Sequence, residues 1–217
     1  YRNLRLSQKK RYMLSAQLSY DITDWLNISG RVRVDNTHTK YEQKLYASSN
    51  LTITEESTQG HYTISKPDET QTYADVLANI NKRFNDFSLV ANVGASIVNN
   101  RYEDLSYRGP IREKGIPNVF NVFDLDNTKK KARQDEWQEQ TQSVFASVEV
   151  GWKSMLYLTL TGRNDWASQL ANSSTPCFFY PSVGLSGVIS EMLTLPEFID
   201  YMKVRGSFSS VGMPYPR

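Results

Sequence analysis

The amino-acid sequence predicts an all-β protein, an antiparallel β-barrel that crosses a membrane. Three observations lead to this prediction. Segments of about ten residues, the length that a tilted strand needs to cross a bilayer, alternate between apolar and polar side chains. The connections between these segments are alternately short and long, as in outer-membrane barrels. Aromatic residues, 12% of the chain, collect near the segment ends, where membrane barrels carry their interfacial girdles.

The alternation recurs in eight segments, and residues 26–35 show it most clearly. Apolar side chains occupy the even positions from Leu26 to Val34, and polar or charged ones occupy the odd positions from Asn27 to Asp35. Successive side chains of a strand point to opposite sides, so this strand has one apolar and one polar face. In chain order, the apolar faces lie within residues 12–20, 26–34, 74–80, 87–97, 144–152, 156–162, 179–189 and 202–208.

The apolar faces carry no charge. They comprise roughly thirty-nine positions, among which the 22% charge content of the chain would place about eight charged residues without patterning. Charged side chains on the opposite faces are costly in lipid but suit a water-filled lumen. The predicted lumen therefore holds the strand cations, which are Arg31, Arg33, Arg163, Lys203 and Arg205.

Connections of two lengths follow one another along the chain. The short ones, residues 21–24, 82–86 and 153–155, are typical of periplasmic turns, and the long ones, residues 36–72, 99–138 and 165–175, of extracellular loops. The connection 190–201 is longer and is predicted to hold a helical turn around Leu195, Pro196 and Glu197. Aromatic side chains are predicted at the membrane interfaces at Tyr12, Tyr20, Trp25, Phe87, Trp152, Trp166 and Phe179.

The composition excludes other classes of protein. Charge is balanced, with 25 Lys plus Arg against 23 Asp plus Glu, and the only basic run, residues 129–131, is expected in a solvated loop, so no nucleic-acid partner is indicated. The single cysteine, Cys177, excludes an intrachain disulfide and a cysteine-based zinc site. No run of eighteen apolar residues encodes an ordinary transmembrane helix. The chain opens on Tyr1 without a signal peptide, which indicates a piece of a longer or processed protein.

Four sequence motifs resemble one known family. Residues 156–166 read LYLTLTGRNDW and 178–186 read FFYPSVGLS, similar to adjacent strands of SusC/RagA-like TonB-dependent transporters of Bacteroidetes. The words around Leu195-Pro196, YMKVRGS at 201–207 and SVG at 210–212 follow in the family's order. Residues 116–122, IPNVFNV, resemble part of a long loop of the family.

The resemblance implies a fold and a function. Family members are barrels of twenty-two strands with an N-terminal plug and a TonB box, so residues 1–217 are expected to be part of the barrel domain, without the plug or the TonB box. The expected function is uptake of glycans, or of peptides, across the bacterial outer membrane. The expected partners are a SusD-like surface lipoprotein, TonB acting through the plug region, outer-membrane lipid including lipopolysaccharide, and the oligosaccharide or peptide substrate.

Two other interpretations remain open at the level of sequence. An even strand count also allows a self-contained eight-stranded outer-membrane barrel, an adhesin or anchor, whose first and last strands would pair. A soluble carbohydrate-binding β-sandwich would also alternate, because each of its sheets has one wet face. That sandwich would bury its aromatic residues in mid-strand and would be soluble without detergent.

No catalytic, cofactor or metal site is predicted, and substrate-binding residues are unknown. The two histidines, His38 and His61, fall in one predicted loop, where a metal pair is improbable. Residues 124–127 lack the glycine and distal glutamate of a calcium loop and favour an Asx-rich turn. Other candidates have structural interpretations: solvated loop charge at Glu55, Glu56, Asp135 and Glu136; an inward Arg163 and an interfacial Trp166; and loop packing for Tyr102, Tyr107, Phe120 and Phe123.

Overall fold

A computed structural model describes residues 3–174, 176–193 and 199–212. Within them, nine strands form one antiparallel sheet in the order β1-β2-β3-β5-β6-β7-β8-β9, and β4 pairs with β2 and β5. No helix in this part of the chain is long and apolar enough to span a membrane. The strands are β1 (Leu4–Thr23), β2 (Leu26–Tyr46), β3 (Gly60–Ser65), β4 (Asp68–Phe84), β5 (Phe87–Pro110), β6 (Lys131–Trp152), β7 (Leu156–Ala167), β8 (Cys177–Val188) and β9 (Lys203–Ser209).

The eight predicted strands occupy eight positions in the sheet, one of which is interrupted. Strands β3 and β4 share the position between β2 and β5 and are separated by Lys66 and Pro67. Proline has no backbone N–H to donate to a ladder, so it interrupts the strand there. The Pro67 carbonyl still accepts a bond from the Thr39 amide at 2.9 Å. The sequence pattern therefore predicted the sheet positions correctly and missed β3.

Two of the predicted long loops are strand over half or more of their length, so their predicted bounds are wrong. Of residues 36–72, only 47–59 and the break at 66–67 lie outside strands, and of residues 99–138 only 111–130 do. The third, 165–175, begins inside β7 and continues into a 3-10 turn, Ser168–Leu170. The missed strand ends pair regularly, as Tyr41 to Tyr46 of β2 do with β3. Because these strand ends carry polar side chains on both faces, no alternation marks them in the sequence.

Two short connections are tight turns, as predicted. Lys153 and Ser154 both have positive φ angles, 51° and 58°, and the Met155 amide donates to the Trp152 carbonyl at 2.9 Å. This geometry matches the right-handed twist of the flanking strands. The turn between β4 and β5 has a positive φ of 49° at Asn85. In the longer connection after β8, a short helix, α1 (Ile189–Met192), forms, and Leu195, Pro196 and Glu197 lie outside the described residues.

The register of β6 to β9 sorts side chains into apolar and polar rows. Val148, Leu160 and Val183 are cross-strand partners, and Phe208 of β9 continues the row. The adjacent row is Ser147, Thr161, Ser182 and Ser209. We call the side that carries the predicted uncharged faces the outer face, and the opposite side the inner face.

The outer face keeps its large apolar side chains in contact with solvent or lipid. Val76 is 59% exposed and Leu185 is 57% exposed, although each lies in a strand that has partners on both sides. The seven aromatic residues predicted at the interfaces are all exposed. Exposed apolar strand residues on this scale indicate a surface made for lipid.

The sheet divides into two compact units. The barrel unit comprises Ser15–Arg33, Thr72–Asn99 and Glu139–Arg217, and contains the predicted membrane-crossing segments except for a few end residues. The loop unit comprises Tyr1–Leu14, Val34–Gln71 and Asn100–Gln138. In the loop unit, Ile111 and Leu125 form an isolated β-bridge and are each 1% exposed, so this unit has an apolar core of its own.

Candidate functional site: the polar inner face

Paired polar side chains cover the inner face of the barrel unit. The guanidinium of Arg31 donates to one carboxylate oxygen of Asp75 from Nε at 2.9 Å and from Nη2 at 2.7 Å. The ring of Tyr73 lies 5.2 Å from the Arg31 guanidinium and 5.6 Å from that of Arg33. Nearby, the Asn27 amide donates to Asp21 at 2.6 Å. The predicted lumen cations at Arg31 and Arg33 are therefore held by neighbours on the same face.

Arg163 lies on the inner face, as predicted from the sequence. Its Nε donates to Asp165 at 2.7 Å and its Nη2 to the Ser143 hydroxyl at 3.0 Å. The ring of Phe145 lies 6.0 Å from the guanidinium. Trp166 is exposed on the outer face. These contacts hold the Arg163 side chain against the inner face of the sheet. They support a structural role for the motif at residues 163–166.

A cleft of about 700 Å³ opens in the loop unit. By the alternation within each strand, all but two of the residues that line the cleft belong to the inner face. The two exceptions are Thr70 and Arg101. Ligand sites of proteins commonly have volumes of roughly 300–1,000 Å³. The lining residues are Lys9, Arg11, Asp35, Thr37, Glu69, Thr70, Gln71, Asn100, Arg101 and Trp137.

An ion pair and an amide pair organise this cleft. Arg11 donates to both carboxylate oxygens of Asp35, from Nε at 2.8 Å and from Nη2 at 2.5 Å. Asp35 is buried, whereas the Arg11 side chain is 62% exposed, and the two bonds align the guanidinium with the carboxylate. The Gln71 side-chain amide donates to the Asn100 carbonyl oxygen at 2.9 Å. These side chains come from four different strands and converge only in the folded sheet.

Trp137 provides the aromatic surface of the cleft. Its ring stacks on Tyr102, with centroids 5.5 Å apart and planes inclined by 12°. Burial raises the pKa of Tyr102, so its phenol stays neutral near neutral pH. Tyr102 had been expected to pack within a loop, but it lies in β5, as does Tyr107. Both rings therefore have the fixed orientation of strand residues.

A second polar group lies within the loop unit. His61 is buried at 6% exposure, with Nε2 3.6 Å from a carboxylate oxygen of Glu55, which also pairs with Arg108 at 3.2 Å. Burial lowers the pKa of His61, because desolvation disfavours the imidazolium. The Tyr62 hydroxyl donates to Glu42 at 2.6 Å, and this bond lowers the pKa of the Glu42 carboxyl. Glu55 lies in a loop, as expected, but its side chain is ion-paired and only 32% exposed, whereas that of Glu56 is 85% exposed.

The remaining sequence candidates have mixed outcomes. Phe120 packs against Tyr46 at 5.1 Å between ring centroids, as expected of a loop aromatic, whereas Phe123 is exposed. The predicted Asx turn is confirmed, since Asp126 accepts from the Thr128 amide at 2.8 Å. Asp135 and Glu136 lie in β6 rather than in a loop, and each pairs with an arginine.

The two histidines lie in strands rather than in one loop, which corrects the prediction. His38 of β2 pairs with Asp68, and His61 of β3 pairs with Glu55. Across the described ranges, no group of three or more His, Cys, Asp or Glu side chains is placed to hold a metal ion.

Sequence reasoning missed the cleft. Asp35 was recognised only as a polar strand residue, and Gln71, Asn100 and Trp137 were assigned to long loops or their margins. When the alternation of each apolar segment is continued to the end of its strand, each of these residues falls on the inner face. The missing signal is the pairing of β2 with β4 and of β4 with β5, which brings residues far apart in sequence together.

Comparison with known proteins identifies the family. The family model described as "TonB dependent receptor-like, beta-barrel" matches residues 1–214. No curated protein sequence matches the chain significantly. The structure of the RagAB peptide transporter superposes with a TM-score of 0.76 at 14% sequence identity, covering 95% of this chain and 23% of that one.

Other solved barrels are similar over most of the chain. The RagAB peptide importer in its "open-open" state gives a TM-score of 0.77 at 14% identity, covering 95% of this chain and 22% of that one. The siderophore receptor PiuA of Acinetobacter baumannii gives 0.55 at 15% identity, covering 83% and 30%. The present chain thus spans about a quarter of the length of the solved structures that it matches.

At these identities the likeness establishes the fold, and the family model establishes membership. The barrels of this family lie in the outer membrane of Gram-negative bacteria and serve in transport. The chain, whose predicted membrane-crossing segments have an uncharged outer face and a paired polar inner face, belongs to the TonB-dependent receptor β-barrel family.

Proposed function

We propose that this chain is a wall segment, part of the barrel domain, of a SusC/RagA-like importer. In this proposal a SusD-like surface lipoprotein covers the importer, and TonB drives uptake of oligosaccharides or peptides. One observation carries the proposal: along the predicted membrane-crossing segments, a single sheet has one exposed face without charged side chains and one polar, ion-paired face. Four motifs resembling SusC/RagA strands and loops support it, and so does the fold shared with the RagAB peptide transporter. The wall has no catalytic role in this proposal.

The two sheet edges favour a large barrel over the closed small one. The sheet path begins at β1 and ends at β9, and within the described residues these strands do not pair with each other. In lipid, every unpaired backbone N–H and C=O group costs several kcal/mol, roughly as estimated for transfer out of water. Each edge therefore needs a further strand beside it, which a barrel of more strands supplies.

The soluble sandwich fits the structure less well. A sandwich needs two packed sheets, whereas the described strands form one. Its aromatic residues would be buried in mid-strand, whereas Tyr20 and Phe179 are exposed at strand ends.

Growth of the source bacterium tests the proposed import. A strain lacking the full-length protein, and a strain in which its TonB contact is removed, are compared with the parent on purified oligosaccharides and on peptides as sole carbon source. We expect both mutants to lose growth on at least one substrate of these classes and to keep growth on glucose. Unchanged growth of both mutants on all substrates would contradict the proposal.

Purification tests the proposed partner. The full-length protein is extracted from outer membranes in mild detergent, and its complexes are weighed. We expect a polypeptide of roughly four times the length of this chain, by analogy with the coverage of the matched barrels, together with a surface lipoprotein. A stable folded species of 24.9 kDa, the mass of this chain alone, would instead favour the small closed barrel.

A further inference from the structure

The cleft of the loop unit is lined by five charged residues, four neutral polar residues and one tryptophan. Its polar groups come from β1, β2, β4 and β5, and its aromatic group from β6. Such groups on rigid strands keep their geometry better than groups on loops. The inference rests on the proposed importer, because it assigns this cleft to the path of the substrate.

The cleft offers donors and acceptors in close pairs. The guanidinium of Arg11 and the carboxylate of Asp35 lie side by side through two bonds of 2.8 and 2.5 Å. Gln71 and Asn100, joined at 2.9 Å, each present a carbonyl oxygen and an amino group. A carboxylate or amide oxygen has more than one lone pair, so a group that already accepts one hydrogen bond can accept a second. Neighbouring hydroxyls of a sugar ring, each donor and acceptor, match such paired groups.

The charges of the cleft nearly cancel. Arg11 is neutralised by Asp35, and Arg101 lies 3.2 Å from Glu136. Lys9 and Glu69 carry opposite charges. A lining without a dominant charge gives no long-range attraction for a strongly charged ligand, and it avoids the desolvation cost that an unmatched charge would have. The balance favours a neutral ligand over a peptide with charged ends.

Trp137 completes the site. An indole ring has a negative face, which attracts weakly positive C–H groups, and it is apolar enough to exclude water. The ring stacks on Tyr102, and both are half-buried, so the orientation of the indole is fixed. A sugar ring has C–H groups on its faces and hydroxyls at its edges, which suits one aromatic surface beside several polar pairs.

We propose that the cleft lined by Arg11, Asp35, Gln71, Asn100 and Trp137 binds a neutral sugar residue of an oligosaccharide on the import path. Trp137 stacks on the ring, and the Arg11–Asp35 and Gln71–Asn100 pairs hydrogen-bond its hydroxyls. Trp137 and the two polar pairs thereby determine specificity for sugars over peptides.

Native mass spectrometry of the full-length transporter tests this site. The purified protein is incubated with neutral oligosaccharides of two to eight sugar units, and separately with peptides of the same mass range. We expect the wild type to retain an oligosaccharide, and Trp137→Ala to bind it at least tenfold more weakly. Trp137→Phe, which keeps a ring, is expected to restore part of the binding. The matched control is Trp166→Ala, which removes an outer-face tryptophan and is expected to bind as the wild type does.

Charge variants separate the two ligand classes. Lys9→Gln and Glu69→Gln each remove one charge from the cleft and unbalance it, and each is expected to weaken oligosaccharide binding, but less than Trp137→Ala does. Retention of peptides but no oligosaccharide, with loss of peptide in Lys9→Gln or Glu69→Gln, would overturn the assignment to sugars. Equal oligosaccharide binding by wild type and a correctly folded Trp137→Ala protein would overturn the site itself. If either occurs while TonB-dependent growth persists, only this inference fails. If growth depends on TonB for none of the substrates, the proposed importer itself is contradicted.

Discussion

The barrel unit and the loop unit are parts of one sheet, yet the most deeply buried apolar side chains of the described residues, Ile111 and Leu125, both lie in the loop unit. The barrel unit leaves Leu18, Val76 and Leu185 exposed and keeps ion pairs such as Arg31–Asp75 on its inner face. The loop unit buries Ile111 and Leu125 as a soluble protein does. This difference is expected of a barrel wall in contact with lipid and of loops in contact with water.

The largest effect is expected where the loop unit has its apolar core. Ile111→Ala removes a side chain that is 1% exposed, and such truncations cost about 2–5 kcal/mol including the cavity that they leave. We expect increased proteolysis and hydrogen exchange within residues 47–59 and 111–130 in the full-length protein. Ile116→Ala, at a side chain 70% exposed, is the control and should change stability by less than about 0.5 kcal/mol. Equal effects of the two substitutions would contradict the buried core.

A comparable effect is expected from a charge on the outer face of the barrel unit. Leu160 lies in the apolar row between Val148 and Val183. Leu160→Arg should destabilise the barrel by about 2–4 kcal/mol, as an arginine near the middle of the bilayer does. Urea unfolding in lipid vesicles measures the cost. Thr161→Arg, one residue along on the inner face, is the control and should cost much less. If Thr161→Arg destabilised the barrel more than Leu160→Arg, the face that carries Thr161 would be the one that contacts lipid.

A smaller effect is expected from a close approach inside the barrel unit. A Cβ atom at Gly94 would lie 2.7 Å from the Phe145 ring and 2.9 Å from the Val76 carbonyl oxygen. Since the carbonyl belongs to the backbone, Gly94→Ala should cost about 1–3 kcal/mol through overpacking. The control is Gly30→Ala, where the nearest atom to a Cβ, the Asp75 carbonyl oxygen, lies 3.8 Å away. The thermal midpoint of the detergent-solubilised protein should fall only for the first variant.

The smallest effect is a dependence of the loop unit on pH. Burial lowers the pKa of His61 below its ordinary 6.5, so the unfolded chain binds this proton more readily than the folded one. Stability is therefore full above about pH 6.5 and falls as the solution becomes more acidic. Glu55 opposes the shift and Arg108 adds to it. The lowered pKa of Glu42 extends the loss at pH values below its ordinary 4.5.

Hydrogen exchange of the β3 amides, corrected for the intrinsic effect of pH, measures this dependence. The wild type should lose protection between pH 7.5 and 5.5, and His61→Gln should lose less. Greater protection at pH 5.5 would mean that folding raises the pKa of His61.

The two units also differ in how well the sequence predicts them. In the barrel unit, every predicted apolar segment is a strand, and the turn at Lys153 and Ser154 lies where the alternation stops. Lipid imposes one simple rule on each outer-face position, so the pattern is visible in a single sequence. In the loop unit, water accepts polar side chains on both faces, and β3 and the ends of β2, β5 and β6 leave no periodic signal.

The cleft illustrates the second limit. The residues of the cleft lie far apart in the sequence, and only the pairing of strands brings them together. From Lys9 to Trp137 they span somewhat more than half of the chain. Whether a residue number is odd or even within its strand predicts the face on which the side chain lies. It does not predict the register, that is, which residues of neighbouring strands lie side by side.

The most direct test of the central claim is a spin-label scan along β7 in native-like membranes. Single cysteines replace residues 156–163 in turn in the full-length protein, after Cys177 is changed to serine. Collisions with oxygen, which concentrates in lipid, are compared with collisions with a water-soluble nickel chelate. We predict that oxygen dominates at Leu156, Leu158 and Leu160 and that nickel gains at Tyr157, Thr159 and Thr161, with a period of two. Equal accessibility at both sets of positions would contradict the assignment of one face to lipid and the other to a lumen.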